Sequence, residues 1–155
     1  VDAEYTVSQP LCDDKKSPVV IKTRCAVEKL SARKAFTVFT PLAKSQNPDF
    51  PPATLVEVKI LTGRKHQIRA HAQWIGHSVV GDKIYGADER LYLEFIEKGV
   101  TDEMLKTLQM RRQALHAYRM DFSKVIPNMV FTAPIKMDFA DFLESRKIEL
   151  PEKFR

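Results

Sequence analysis

Alternation of apolar and polar positions is clearest at Thr54–Leu61. Val56, Val58 and Ile60 point one way and Glu57 and Lys59 the other, the period-two pattern of a half-buried strand. Ala35–Thr40 alternates more weakly, with Phe36 and Val38 on one face. Ala114–Phe122 places His116, Tyr118, Met120 and Phe122 on one side. Shorter extended stretches are predicted around Tyr5 and Val7, at the β-branched run Val19–Ile21 and at Val130–Ala133. Between them lie a lysine-rich loop at Asp13–Pro18, a polar, basic stretch at Lys29–Lys34 and turn chemistry over Ser45–Pro52.

Elsewhere the period lengthens. Ile68, Ala72 and Ile75 recur at i, i+4 and i+7, predicting a helix from about His66 to Ile75 that Gly76 ends. Arg90–Lys98 pairs Leu91 with Phe95 and Tyr92 with Ile96 at four-residue spacing, and Gly99 stops it. Thr101 caps a short helix carrying Met104, Leu105 and Leu108, and Asp138 opens another with Phe139, Phe142 and Leu143 inward. The charged tail from Lys147 is expected to fray. These elements imply one α+β domain over residues 1–155, an antiparallel or mixed sheet with short helices packed on it.

Composition changes this picture only slightly. With 155 residues, 44% of them apolar, the chain can bury one real core. No apolar run approaches the ~20 residues that span a bilayer. Cys12 and Cys25 form no C-x-x-C pattern and read as reduced thiols, in keeping with a cytoplasmic protein. A net charge of +5 suits a polyanionic partner without establishing one.

The candidate chemistry is concentrated in residues 62–86, which hold four of the five glycines and three of the four histidines. His66 and His71 are five apart, about 140° around a helix, so they do not make the i, i+4 pair that zinc favours. No metal site is predicted. Gly76, Gly81 and Gly86 match neither dinucleotide nor P-loop spacing and read as turns and a helix stop. Arg64, Lys65 and Arg69 supply a basic edge that, on composition alone, is a solvated face.

Two runs in this stretch carry a resemblance. Thr62-Gly63-Arg64-Lys65-His66-Gln67-Ile68-Arg69-Ala70-His71, followed by Gly76-His77-Ser78-Val79-Val80-Gly81-Asp82-Lys83-Ile84-Tyr85-Gly86, is similar to the motif of RluA-type pseudouridine synthases. Downstream, Arg112–Ala117 and Phe131–Pro134 resemble the same family's closing strands, and Ala32–Phe39 resembles its weakly patterned strand before the motif. The resemblance implies isomerisation of uridine in structured RNA, ribosomal or transfer, without metal or cofactor: the N-glycosidic bond breaks, the uracil turns, and it rejoins through carbon. The family's nucleophile is an aspartate in His-Arg-Leu-Asp, and a tyrosine in a Lys-x-Tyr context stacks on the base. In the family both precede the segment that starts here at Val1, so the chain is expected to be the C-terminal portion of a catalytic domain and inactive alone.

By the same resemblance Arg69 is the arginine that pairs with the catalytic carboxylate, a fixed cation that lowers the carboxylate's pKa and orients it. Without that partner Arg69 is expected to be solvated or paired elsewhere, and Arg69→Ala to abolish turnover while the fold survives. Arg64, Lys65, His66, Gln67 and Lys83 are expected to contact RNA, with Tyr85 at the pocket mouth. Asp82 is expected to hold loop backbone. Tyr118-Arg119-Met120-Asp121 superficially imitates the nucleophile motif but follows the central stretch instead of preceding it. A non-catalytic RNA-binding module is the alternative function. A truncated sheet exposes an edge, so a homodimer of the chain is a secondary expectation, testable by light scattering.

Overall fold

The computed structural model describes residues 1–27, 31–135 and 137–154. Lys29 and Leu30 of the basic stretch, and Arg155 of the tail, lie outside the described residues. Two compact units are present: Val1–Pro41 with Val56–Ala114, and Leu42–Leu55 with Leu115–Arg155.

The first unit contains β1 (Tyr5–Val7), β2 (Leu11–Asp13) and β3 (Thr23–Cys25). Most of β4 (Thr37–Lys44) and β5 (Thr54–Ile60) also belongs to it, together with α1 (Gln67–Trp74), α2 (Arg90–Lys98) and α3 (Asp102–Leu108). The order β1-β4-β5 makes one sheet, with Tyr5 opposite Phe39 and Val7 opposite Thr37 in antiparallel register. β2 and β3 form a separate antiparallel ribbon, with Leu11 opposite Cys25 and Cys12 opposite Arg24.

α1 is apolar through small residues on opposite sides. Ala72 packs with Val7 and Phe39, against which Val56, Val58, Ile68 and Val79 also lie. Ala70 packs with Leu11, Val19, Cys25, Ala35, Ile84 and Tyr85. Two residues along a helix is a turn of about 200°, so one alanine serves each layer. Short side chains at both points let the flanking layers approach the helix backbone. This fixes where Arg69, adjacent to Ala70 in sequence, leaves the helix.

The alternation expected over Ala35–Thr40 is present, and its inward side is the one opposite Phe36 and Val38. Ala35, Thr37 and Phe39 are the buried positions, whereas Phe36 and Val38 are only half-buried. A threonine can face inward here because its hydroxyl is engaged by Gln67 and His71. β4 also runs through Pro41, which lies beyond the residues paired with β1, so that neighbour does not need its missing N–H. The expected strand end at Val19–Ile21 is a turn with Val19 buried, and the strand itself begins at Thr23. α2 matches its expected bounds, and Thr101 Oγ1 accepts from Met104 N at 3.2 Å at the start of α3.

In the second unit the strand expected over Ala114–Phe122 is reduced to β6 (Arg119–Asp121), paired antiparallel with β7 (Val130–Thr132). α4 (Met137–Ser145) buries Phe142 and Leu143. The Arg146 guanidinium stacks on Phe50 at 3.7 Å and Phe142 at 4.9 Å from the ring centroids. Backbone N–H groups of Gln46 and Asn47 donate to the Arg146 carbonyl, holding the 45–53 turn. Among the described residues no helix is long and apolar enough to cross a membrane.

Candidate active site and RNA-facing edge

The turn between β5 and α1 is organised by one buried side chain, Gln67. Its Oε1 accepts from Thr62 Oγ1 at 2.8 Å and Arg64 N at 3.1 Å, and its Nε2 donates to Phe36 O at 3.0 Å and Thr37 Oγ1 at 2.9 Å. All four hydrogen-bonding positions of the amide are therefore used. Thr37 in turn meets His71 Nδ1 at 2.9 Å, and His71 Nε2 lies 2.9 Å from the Gln9 carbonyl. A carbonyl only accepts, so Nε2 carries the proton and the neutral ring accepts from Thr37 at Nδ1. Burial lowers the pKa of His71, opposed by the Gln9 contact.

His66 precedes α1 with φ of 57°, in the left-handed region, and its side chain does not cap the helix. Instead its Nδ1 lies 3.0 Å from Tyr85 Oη, and the two rings meet edge to face at 5.6 Å. Burial, then Arg69 and Lys65, hold the His66 pKa below the usual imidazole value against the opposing pull of Asp82, so the ring is neutral at neutral pH. Tyr85 is fully buried, and its hydroxyl also accepts from Thr23 N at 2.9 Å and meets Thr23 Oγ1 at 2.9 Å.

Arg69 is paired. Its Nε donates to Asp82 Oδ2 at 2.6 Å and its Nη2 to Oδ1 at 2.7 Å. The two side chains are 12% and 0% exposed. Asp82 Oδ1 also accepts the backbone N–H groups of Ile84 and Tyr85, both at 2.9 Å. Burial on its own would raise the Asp82 pKa; the Arg69 hydrogen bonds and the two N–H donors outweigh it and hold the carboxylate below its usual range. The Arg69 guanidinium lies 4.9 Å from the Tyr85 ring centroid, a cation–π contact. The loop is further tied to α1 and its own start by Gln73 Nε2 and Ser78 Oγ, both donating to Tyr85 O.

Glycines make this path possible at two points. A Cβ on Gly81, at φ of +76°, would stand 2.0 Å from Arg112 O, and one on Gly86 would stand 2.4 Å from Asp82 O. No side chain fits at either distance.

Three of the residues expected to contact RNA are buried. Gln67 is 3% exposed and commits its amide to the fold. Tyr85 is 0% exposed and ties loop and helix together through its hydroxyl. Lys83 donates to Arg111 O at 2.6 Å and lies 4.8 Å from the Phe95 ring centroid. Burial, opposed by Asp82 and assisted by Arg69, lowers its pKa. Arg64 and Lys65 are exposed and His66 is half-buried, so these three do reach the surface. Asp82 has the backbone-holding position expected of it. Asp121 sits exposed on β6 beside Arg119, with Ser123 N donating to it, unlike the buried setting a nucleophile needs.

Sequence reasoning missed Thr23, Thr37, Ser17, Lys22 and Glu89. Lys22 Nζ and Ser17 Oγ both donate to Glu89 Oε2, at 2.7 and 2.6 Å, joining the β2–β3 turn to the residues before α2. No local pattern marks pairings of such sequence separation. Among the described residues no group of three or more His, Cys, Asp or Glu side chains is placed to hold a metal.

The family model for RNA pseudouridylate synthase matches residues 4–74, from before β1 through α1. A ribosomal large subunit pseudouridine synthase D from Pasteurella multocida is 34% identical over 99 residues, covering 62% of this chain and 29% of that protein. Over residues 4–74 the chain is similar to the RNA pseudouridylate synthase family. A further relative, an uncharacterised RNA pseudouridine synthase from Mycoplasma pneumoniae, is 31% identical over 147 residues, 94% of this chain and 40% of its own length. The chain thus spans well under half of these curated relatives. The solved structure of human RNA pseudouridylate synthase domain containing 4 shares the pseudouridylate synthase fold, with a TM-score of 0.67 over 97% of this chain and 59% of that one, at 20% identity.

Proposed function

We propose that the whole protein isomerises uridine to pseudouridine in structured RNA, with ribosomal RNA the favoured substrate and the cytoplasm its place of action. In this proposal the chain is the C-terminal part of the catalytic domain, and the nucleophilic aspartate comes from a segment beyond it. The observation that carries the reading is the Arg69–Asp82 pair, a guanidinium fixed at two points and backed by the Tyr85 ring. Asp82 occupies Nε and Nη2, which leaves Nη1 as the edge for the catalytic carboxylate. A cation held this way costs no reorganisation when a partner carboxylate arrives. Exposed Arg64 and Lys65 stand beside it as phosphate contacts, which set affinity and its salt dependence more than sequence choice. The target uridine leaves its stack to reach such a pocket. Names of relatives such as the ribosomal large subunit synthase from Pasteurella multocida support the choice of RNA.

The test uses the full-length protein and ribosomal RNA transcripts, with pseudouridine detected by carbodiimide adducts and primer extension. Conversion by wild type, and its loss in Arg69→Lys with the fold retained by circular dichroism, is the expected result. RNA binding without conversion by the wild type would favour the non-catalytic binding module.

A further inference from the structure

The fold assembles a basic strip that the central motif alone does not reveal. Arg24 lies on β3, opposite Cys12, and its side chain is 44% exposed. Arg33 is exposed and bridges Leu11 of β2 through reciprocal backbone hydrogen bonds of 2.9 and 2.8 Å. Lys34 is exposed, and its carbonyl accepts from Arg64 Nε at 3.1 Å. The Lys65 carbonyl accepts from Thr23 Oγ1 at 3.2 Å, beside Arg24. Hydrogen bonds and strand pairing thus bring five cation-bearing residues from three separate chain segments together around the start of α1.

Two carboxylates interrupt the edge. Lys65 Nζ lies 3.4 Å from Asp13 Oδ1, with side chains 51% and 73% exposed. Arg24 Nε lies 3.9 Å from Asp14 Oδ1. The Lys65–Asp13 pair is exposed and exchanges readily, and the Arg24–Asp14 contact, whose carboxylate is 15% exposed, is long. They contrast with Arg69–Asp82, which is short, bidentate and buried.

Resting on the reading above, we infer that Arg24, Arg33 and Lys34 extend the Arg64–Lys65 edge into a strip that tracks the RNA sugar–phosphate backbone flanking the target nucleotide, with Asp13 standing where a phosphate displaces it. Two consequences of opposite sign follow. Removing the cations weakens binding and flattens its salt dependence, because fewer counterions are released. Removing the Asp13 charge tightens binding, because Lys65 no longer has to exchange partners.

The experiment measures equilibrium binding of the full-length protein to a hairpin RNA with a uridine-containing loop, across a series of salt concentrations. The triple variant Arg24→Gln/Arg33→Gln/Lys34→Gln is expected to bind on the order of tenfold more weakly at low salt. Its log–log salt slope should fall by about 0.7–0.9 for each phosphate that is no longer neutralised. Asp13→Asn is expected to bind more tightly than wild type. A control, Lys98→Gln/Lys106→Gln, removes charge from α2 and α3, where those lysines pair with Glu94 and Glu103; its slope should equal that of wild type. An unchanged slope in the triple variant, an equal loss in the control, or weaker binding by Asp13→Asn would each overturn the strip. So would a triple variant that loses binding to phosphatidylserine vesicles while keeping its RNA slope. Binding that follows the expected slopes in a protein that forms no pseudouridine would uphold the strip and remove the synthase reading alone.

Discussion

Arg69 and Asp82 meet in a two-point pair of 2.6 and 2.7 Å, with the carboxylate fully buried and also holding two backbone N–H groups. The arginine expected, without its catalytic partner, to be solvated or paired elsewhere is therefore paired, and is part of the fold.

Arg69→Ala should destabilise the protein by about 3–5 kcal/mol, because it leaves Asp82 buried without its cation. This differs from the expectation that the fold survives that change. Arg69→Lys keeps the charge but loses the fork geometry, and should cost less while still losing turnover. Urea midpoints with slopes equal to wild type would establish the ranking. An alanine variant as stable as wild type would show that the pair contributes nothing to the fold.

His71 sets an acid limit on stability at milder pH than any carboxylate. Its folded pKa lies below the usual imidazole value because the ring is buried neutral between Thr37 and Gln9. A depressed pKa means the stabilisation is complete above the unfolded value, about 6.5, and is lost as pH falls toward the folded value. Urea midpoints should hold from about pH 8 to 7 and decline below about 6.5, with the His71 imidazole resonances titrating late in NMR. A His71 resonance titrating at or above the unfolded value would contradict the tautomer chain.

What the sequence revealed, and what it hid, divides along range. Arg90–Lys98, Thr101 and Gly99 were legible because caps and four-residue spacing act within one or two turns. The central motif was legible as an identity pattern, yet identity did not say which of its polar residues face inward. Gln67 and Tyr85 look like surface chemistry when only their residue types are considered. They are buried because Thr37, on β4, and Thr23, on β3, come from 30 and 62 residues away to satisfy them. Which face of β4 turns inward was illegible for the same reason: an inward threonine is tolerated only once a distant amide and imidazole are in place. Distant partners of this kind leave no local periodicity to read.

Gly76 and Gly81 have nearly the same φ, +77° and +76°, but different surroundings, and substitution should separate conformation from crowding. Gly76→Ala meets nothing within 4 Å and should cost only the left-handed backbone term, about 1 kcal/mol. Gly81→Ala adds a clash with the Arg112 carbonyl, which is backbone and cannot swing aside. Overpacking of that kind costs roughly a further 1–3 kcal/mol. Thermal denaturation of the two variants should therefore differ clearly, with Gly81→Ala the lower. Equal melting temperatures would mean that the 81–86 loop does not pass so close to Arg112.

Tyr85→Phe and Gln67→Met probe whether these side chains belong to the fold or to RNA. Removing the tyrosine hydroxyl leaves Thr23 N without its acceptor, and removing the Gln67 amide leaves Thr62 Oγ1 and Arg64 N without theirs. Each buried group left unpaired costs roughly 1–3 kcal/mol. Both variants should therefore lose stability in urea titrations. Their RNA affinity, measured where they remain folded, should keep the wild-type salt slope, since neither residue reaches a phosphate from inside the core. A variant of normal stability but flattened slope would return that residue to the RNA-facing edge.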